Sequence, residues 1–307
     1  MRNKWLKLGV LYCPSCTNSH PKLMSHAANP LPFFIEGDVY RIFFSGRDNH
    51  NRSSVGAVDI DIIQRKIIHL HTHPFFRHGP QGSYYADGVS IGNCYSVGES
   101  CYMLFMGWQN PNNDHWRGSI GRLTVQPDLT LKLDSKDPLI ETNTLDPISL
   151  SYPWVLQNKE IGYGMWYGST ITWDAGNGEM LHVLKYASSA DGHLWSREGL
   201  AIPYELGKAQ AFSRPTVVET KGIGYEMWFS YRNGHGGKYR IGYALSRDGK
   251  EWKLALEKTG IDVSLTGWDS EMIEYPFVFN HKGERYMLYN GNGYGKTGFG
   301  LAVLAHG

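Results

Sequence analysis

The stretch "PFVFNHKGERYMLYNGNG", Pro276 to Gly293, decides the fold. A proline opens a short apolar run, "HKG" turns the chain, and a tyrosine-led apolar run returns. Proline lacks a ladder N–H and is tolerated at a strand's first residue, so two such runs around a turn predict a β-hairpin. The pattern recurs. The runs "VYRIFFSGR", "CYMLFMGWQ", "GYGMWYGST", "GYEMWFSYR" and "RYMLYNGNG" place Tyr40, Tyr102, Tyr163, Tyr225 and Tyr286 at intervals of 62, 61, 62 and 61 residues. Pro30, Pro153, Pro215 and Pro276 each stand ten residues before one of these tyrosines, whereas the second repeat has Gly88 fourteen residues before Tyr102. A fixed period of this size marks a repeated supersecondary unit.

Third strands follow as "SSVGAVDI", "GSIGRLTV", "LHVLKYASS", "YRIGYALS" and "TGFGLAVL". Two of them end in matching turns, "SADGHLW" (Ser189 to Trp195) and "SRDGKEW" (Ser246 to Trp252), where Asp-Gly supplies the left-handed turn. Helical periodicity is nearly absent. Three or four antiparallel strands repeated five times predict an all-β, five-bladed β-propeller. The expected blades are roughly 22–75, 80–135, 145–200, 205–256 and 268–307. "WLKLGVLY", Trp5 to Tyr12, is expected to complete the last blade and close the ring. One domain over 1–307 follows, because a lone blade cannot bury both faces.

Composition narrows the function. The 307 residues are 41% hydrophobic with a net charge of +1, so no basic stripe points to nucleic acid. There is no run of about eighteen apolar residues and no signal-peptide pattern, which predicts a soluble, cytoplasmic protein without a membrane span. Ten Trp and 19 Tyr suit stacked blades or sugar-binding platforms. The four cysteines include Cys13-Pro-Ser-Cys16, a redox pair, half of a zinc site, or two incidental thiols. No further ligand spacing supports zinc, so neither metal nor cofactor is expected.

In a propeller the innermost strands line a central channel, so residues just before the strand-opening prolines should converge at one mouth. These are Ala28-Asn29, Ala86-Asp87, Ser151-Tyr152, Ser213-Arg214 and Glu274-Tyr275, with the pre-proline backbone expected to be extended. A wet internal polar network would explain the set, and so would a carboxylate pair for glycosidic acid/base chemistry built from Asp87 and Glu274. Glu271 competes with Glu274; in an extended segment they face opposite ways, so only one should face the channel. His26 could bind a phosphate or sugar hydroxyl or tie down its loop. Arg47, beside Asp48, and Arg214 could clamp an anion, because guanidinium pairs bidentately with phosphate or carboxylate. "NGNGYGKTGFG" lacks the spacing of a phosphate loop and reads as a rim whose Asn290 meets a ligand.

The repeat, the prolines and the "SxDGxxW" turns resemble the five-bladed propeller glycosidases, namely the family 43 arabinanases and xylosidases and the invertase and levansucrase groups. The family 43 pattern implies a base near an "ADP"-like element in blade one, an orienting Asp in "APD" of blade two, and an acid two residues before a blade proline. Here these positions read Asn29 in "AANP", Asp87 in "YADG" and Glu274 in "IEYP". "SHAANP", "SRPTVV", "GWDSEMIEYPFVF" and "YMLYNGNGYGKTGFG" are similar to two more groups. These are glycosyl-hydrolase-like proteins of bacterial surface-polysaccharide and O-antigen biosynthesis, and the N-terminal propeller domain of glucosamine inositolphosphorylceramide transferases. The resemblance implies an enzyme acting on a glycan or nucleotide-activated sugar, with Asp87 and Glu274 or Glu271 catalytic. His26, Asn29, Arg47, Ser151, Tyr152, Arg214, Tyr275 and Asn290 would hold substrate. Asn29 in the base position favours instead a non-catalytic glycan-binding propeller. His26 and Arg214 favour a transferase or phosphorylase with a phosphate-bearing donor.

Overall fold

A computed structural model describes residues 3–14, 20–111, 114–158 and 162–305; Cys16, of the Cys13 pair, lies outside them. After β1 (Trp5–Tyr12) the chain runs as sets of consecutive antiparallel strands. The first set is β2 (Ser25–Glu36), β3 (Val39–Arg47), β4 (Ser53–Asp61) and β5 (Lys66–Leu70). The second is β6 (Gly88–Val97), β7 (Ser100–Gln109), β8 (Arg117–Val125) and β9 (Leu131–Leu133). The third is β10 (Ser149–Asn158), β11 (Gly162–Thr172), β12 (Leu181–Ser189) and β13 (Ser196–Leu200). The fourth is β14 (Ala211–Thr220), β15 (Gly224–Arg232), β16 (Arg240–Ser246) and β17 (Trp252–Leu254). The last is β18 (Glu274–His281), β19 (Glu284–Asn290) and β20 (Phe299–Leu304), with one helical turn, α1 (Asn292–Gly295), before β20. β1 lies antiparallel to β20, pairing Trp5 with Leu304 and Tyr12 with Phe299. Among the described residues no helix is long and apolar enough to cross a membrane.

Neighbouring sets share little backbone. β4 meets β6 in one parallel pair, Ser53 with Gly88, and β12 meets β14 in another, His182 with Ala211. Side chains do the rest. β2, β6, β10, β14 and β18 each pack against the next, and β18 packs against β2. All five period-marking tyrosines are buried. The Tyr163 hydroxyl donates to the Ser96 carbonyl in the preceding set, and Tyr225 accepts from Asn158 in its own preceding set. Tyr40, in the first set, meets His281 of the last. For these three tyrosines the period is the spacing of one set-to-set contact. Second strands such as β7 bury both faces, and each fully buried Phe or Leu there contributes about 1.5–3 kcal/mol.

The Asp-Gly turns form as their residues dictate. Ser189 Oγ accepts from the Gly192 N–H, while Asp191 accepts from the His193 and Leu194 N–H groups. Ser246 and Asp248 repeat the arrangement, and Trp252 Nε1 closes it by donating to the Gly249 carbonyl.

One backbone expectation is corrected. The pre-proline residues Asn29, Tyr152, Arg214 and Tyr275 are not extended: their φ angles are 57°, 38°, 42° and 52°. Each lies where the ladder shifts register, as between Ser151 and Trp154 or Glu274 and Phe277. Proline offers no N–H to the ladder, so the strand bulges there. The preceding residue turns left-handed, a conformation costing roughly 1–2 kcal/mol for a non-glycine residue.

Candidate functional site

The four bulges aim side chains at the centre of the ring of first strands, and these do different things. Arg214 is 1% exposed and donates to the carbonyls of Tyr275, Pro30 and Gly92, from β18, β2 and β6. Burial brings its pKa down to about 9. Its guanidinium ties three strands together and does not line the cavity above, contrary to the substrate-binding role expected of it. Asn29 is also buried; its N–H donates to Asn290 Oδ1, and Asn290 Nδ2 donates to the Ala27 and Gly298 carbonyls. Asn290 is therefore a clip between β2 and β19, with its amide already used.

Tyr152 and Tyr275 face a cavity of about 390 Å³, with ring centroids 5.3 Å apart and their hydroxyls 3.2 Å apart. Arg47, Ser90, Ser151, Ser213, Arg232, Tyr239 and Tyr294 also line it, with Trp108 and Trp116 on its sides. Burial holds the Tyr152, Tyr239 and Tyr275 hydroxyls well on the protonated side. An adjoining cavity of about 620 Å³ shares Trp116, Met180, Arg232, Tyr239 and Tyr294 with it and adds Trp173, Glu179, Lys238 and Glu271. There His115 stacks on Trp173 at 4.5 Å. A separate hollow of about 580 Å³ beside Asn3 and Arg240 is remote from these groups, and Arg240 is paired there with Asp262.

The carboxylates separate sharply. Glu274, the first residue of β18, is 0% exposed, and neither carboxyl oxygen has a hydrogen-bond partner of good geometry. Burial pushes its pKa well above the usual carboxylate range; Arg47, Arg232 and the Tyr294 backbone N–H oppose this only in part. Its charge would be felt by Tyr152, Tyr239 and Tyr275, which places it directly behind the cavity wall. Glu271, three residues earlier and outside the strand, is exposed and ion-paired with Lys238 at the rim. Asp87 accepts from the Asn110 N–H and so caps the end of β7; it is not among the cavity-lining residues.

The second set explains why Asp87 is displaced. Ten residues before Tyr102 stands Gly92, in the place of the prolines, and β6 bulges between Ile91 and Cys94. Ser90 consequently lines the cavity, and Asp87 falls at the strand's mouth. A Cβ on Gly92 would lie 2.2 Å from the Pro153 carbonyl oxygen, so close approach of β10 requires glycine here. Counting the ten-residue offset would have found it.

Ser151 Oγ lies 2.6 Å from His182 Nε2, and His182 Nδ1 lies 2.8 Å from Thr170 Oγ1. Burial, then Arg232, lowers the His182 pKa to about 3. A neutral imidazole held between two hydroxyls, with no carboxylate to orient it, is a structural relay rather than a nucleophile–base pair. His26, at φ 62°, sits beside Ser25 Oγ at 2.9 Å; burial, then Arg47 and Lys296, lowers its pKa to about 4.

Sequence reading passed over Glu179, Arg232, Tyr239 and His182. Glu179 is buried and its Oε1 accepts from Arg232 Nη2 at 2.6 Å. It is the second buried carboxylate near the cavities, on the far side of the guanidinium that also acts on Glu274. Arg232 carried a usable signal: it stands seven residues after Tyr225, as Arg47 does after Tyr40. Glu179 precedes β12 in a loop that no repeat marks.

The chain is 43% identical over 302 residues to "Uncharacterized protein Rv1502" of Mycobacterium tuberculosis strain H37Rv, covering 98% of this chain and 99% of that one. The same figures hold for "Uncharacterized protein MT1551" of strain CDC 1551. No family model matches. Among solved structures, one described as "Glycoside hydrolase" superposes with a TM-score of 0.74 at 13% identity, covering 98% of this chain and 92% of that one. An endo-arabinase from Bacteroides thetaiotaomicron gives 0.64 at 13%, covering 94% and 98%. The Bombyx mori GH32 β-fructofuranosidase BmSUC1 gives 0.66 at 11%, covering 91% and 61%. The fold is that of glycoside hydrolases of this all-β kind.

Proposed function

The chain belongs to the family of the Mycobacterium tuberculosis proteins Rv1502 and MT1551, and we propose that it is a carbohydrate-active, glycoside-hydrolase-like protein working at the central cavity. The proposal takes the five strand sets as blades of a single five-bladed propeller over 1–307, closed by β1. The observation that carries it is Glu274: a carboxyl group wholly buried, with no hydrogen-bond partner of good geometry, behind a wall of tyrosines. A buried polar group left unpaired costs about 1–3 kcal/mol, and such costs are characteristic of sites kept for chemistry.

Tyr152, Tyr275 and Trp116 form faces on which a sugar ring can stack. Glu274, kept neutral by burial, supplies the proton to a glycosidic oxygen. Glu179 supplies the second carboxylate, taking the proton of the incoming water or acceptor hydroxyl. Asp87 is left with the structural capping of β7. The resemblance to surface-polysaccharide proteins supports a role in bacterial O-antigen or capsule assembly in the cytoplasm, on a glycan or nucleotide-activated sugar. The test is turnover of a glycoside library by the wild-type protein, Glu274→Gln and Glu179→Gln. Each substitution should lower turnover about 10²–10⁴-fold. Full turnover in Glu274→Gln would remove the assignment.

A binding-only reading has its own support. Asn29 stands where the resembled hydrolases carry a base, and it is clipped by Asn290. Binding of a glycan by all three proteins, with turnover by none, would favour it.

A further inference from the structure

We infer that the sugar taken by the central cavity carries a negatively charged group, and that Arg47 receives it. This rests on the carbohydrate reading and adds the substrate's charge.

Arg47 lines the cavity from the end of β3, yet its guanidinium has no hydrogen bond, ion pair or ring contact among the described residues. The other two central arginines differ. Arg214 is used up by three carbonyls, and Arg232 is paired with Glu179. Arg232 keeps its Nε buried without an acceptor, and Ser213 Oγ, on the same cavity wall, is buried and unpartnered too. Of these donors Arg47 alone lines the cavity with its whole guanidinium unassigned to an acceptor.

The obvious protein counter-ion is missing. Glu274 makes no ion pair with Arg47, and its burial works against its charged form, with Arg47 opposing that only in part. Lys296, near enough to Arg47 for both to act on His26, has no anionic partner among the described residues either. His26, on which both act, has its pKa lowered to about 4, first by burial. The cavity therefore combines an unpaired guanidinium with aromatic faces in one lining. A phosphate ester or a uronate on a sugar ring matches both, because guanidinium binds either oxyanion through paired N–H donors. A neutral sugar offers Arg47 hydroxyl acceptors but no counter-charge.

The experiment is calorimetric titration with gluco, galacto and manno sugars, each as the 1-phosphate, the uronate and the uncharged parent. Inorganic phosphate serves as the ligand control. Wild-type protein, Arg47→Gln and Arg47→Lys are compared, with thermal unfolding recorded for each. At least one anionic series should bind about ten- to a hundredfold more tightly than its parent. That preference should weaken in high salt, vanish in Arg47→Gln and partly survive in Arg47→Lys. Unfolding temperatures should change little, because the Arg47 guanidinium makes no hydrogen bond or ion pair among the described residues. Phosphate esters alone binding identifies a phosphorylated sugar, uronates alone an acidic sugar, and both support the inference. Equal binding of charged and parent sugars, a preference that survives Arg47→Gln, or inorganic phosphate binding as tightly as the esters would each overturn it while leaving the carbohydrate reading intact. Failure of every sugar to bind would remove that reading and this inference together.

Discussion

Replacing Glu274 by glutamine keeps the side chain's shape and removes its ionisable proton. In the folded protein burial holds this carboxyl protonated well above 4.5, its ordinary value; in the unfolded chain it ionises near that value. Between the two the native state binds the extra proton, so wild-type stability must fall as pH rises. The contribution is complete below 4.5 and is lost progressively as pH climbs from there towards the folded value. Its limiting slope is about 1.4 kcal/mol per pH unit, hence about 2.7 kcal/mol across two units. Glu274→Gln lacks this slope. His26 and His182, both depressed by burial, contribute the opposite slope below 6.5, but they are present in both proteins and cancel in the difference. Urea unfolding at half-unit steps between about pH 5 and 7 measures it, with equal m-values as the control. The variant should gain on the wild type steadily as pH rises. Parallel curves would mean that Glu274 titrates like a solvated carboxylate, and the argument for a buried proton donor would fail.

Arg214→Met leaves the Tyr275, Pro30 and Gly92 carbonyls without their donor and should cost several kcal/mol in urea unfolding, at about 1–3 for each stranded group; a loss below about 1 would show that Arg214 is not the tie. Gly168→Ala would place a Cβ 2.1 Å from Ser151 Oγ and 2.3 Å from His182 Nε2, so it should destabilise by about 1–3 kcal/mol; unchanged unfolding would show that the relay is loose. His182 should stay neutral down to about pH 4 by NMR titration. Stability from His182 is complete above 6.5 and lost as pH falls towards about 3; titration near 6.5 would contradict its burial between two hydroxyls.

The strands were legible because their signals are local and repeated. Proline at a bulge, an Asp-Gly turn and a tyrosine reaching the preceding set recur at a period that needs no tertiary knowledge. The burial of Glu274 was half legible: its place before Pro276 put it on an inner strand, but only packing shows that neither oxygen gains a hydrogen bond of good geometry. Arg214 misled for the same reason, since a central arginine reads as a ligand clamp until the carbonyls around it are seen. Asp87 misleads because Gly92, not Gly88, holds the place of the prolines in the second set. Glu179 left no trace in the sequence; its position depends on an ion pair with a residue 53 positions away.

The central claim is that a sugar ring sits against Tyr152, Tyr275 and Trp116 within reach of Glu274. A crystal structure of the protein with a saccharide that binds it in calorimetry measures this directly. The account predicts sugar density in the cavity of about 390 Å³, with a ring or glycosidic oxygen at roughly 3 Å from a Glu274 carboxyl oxygen. Sugar bound only beyond Trp173, or on the outer strands, with Glu274 still sealed behind the tyrosines, would contradict it.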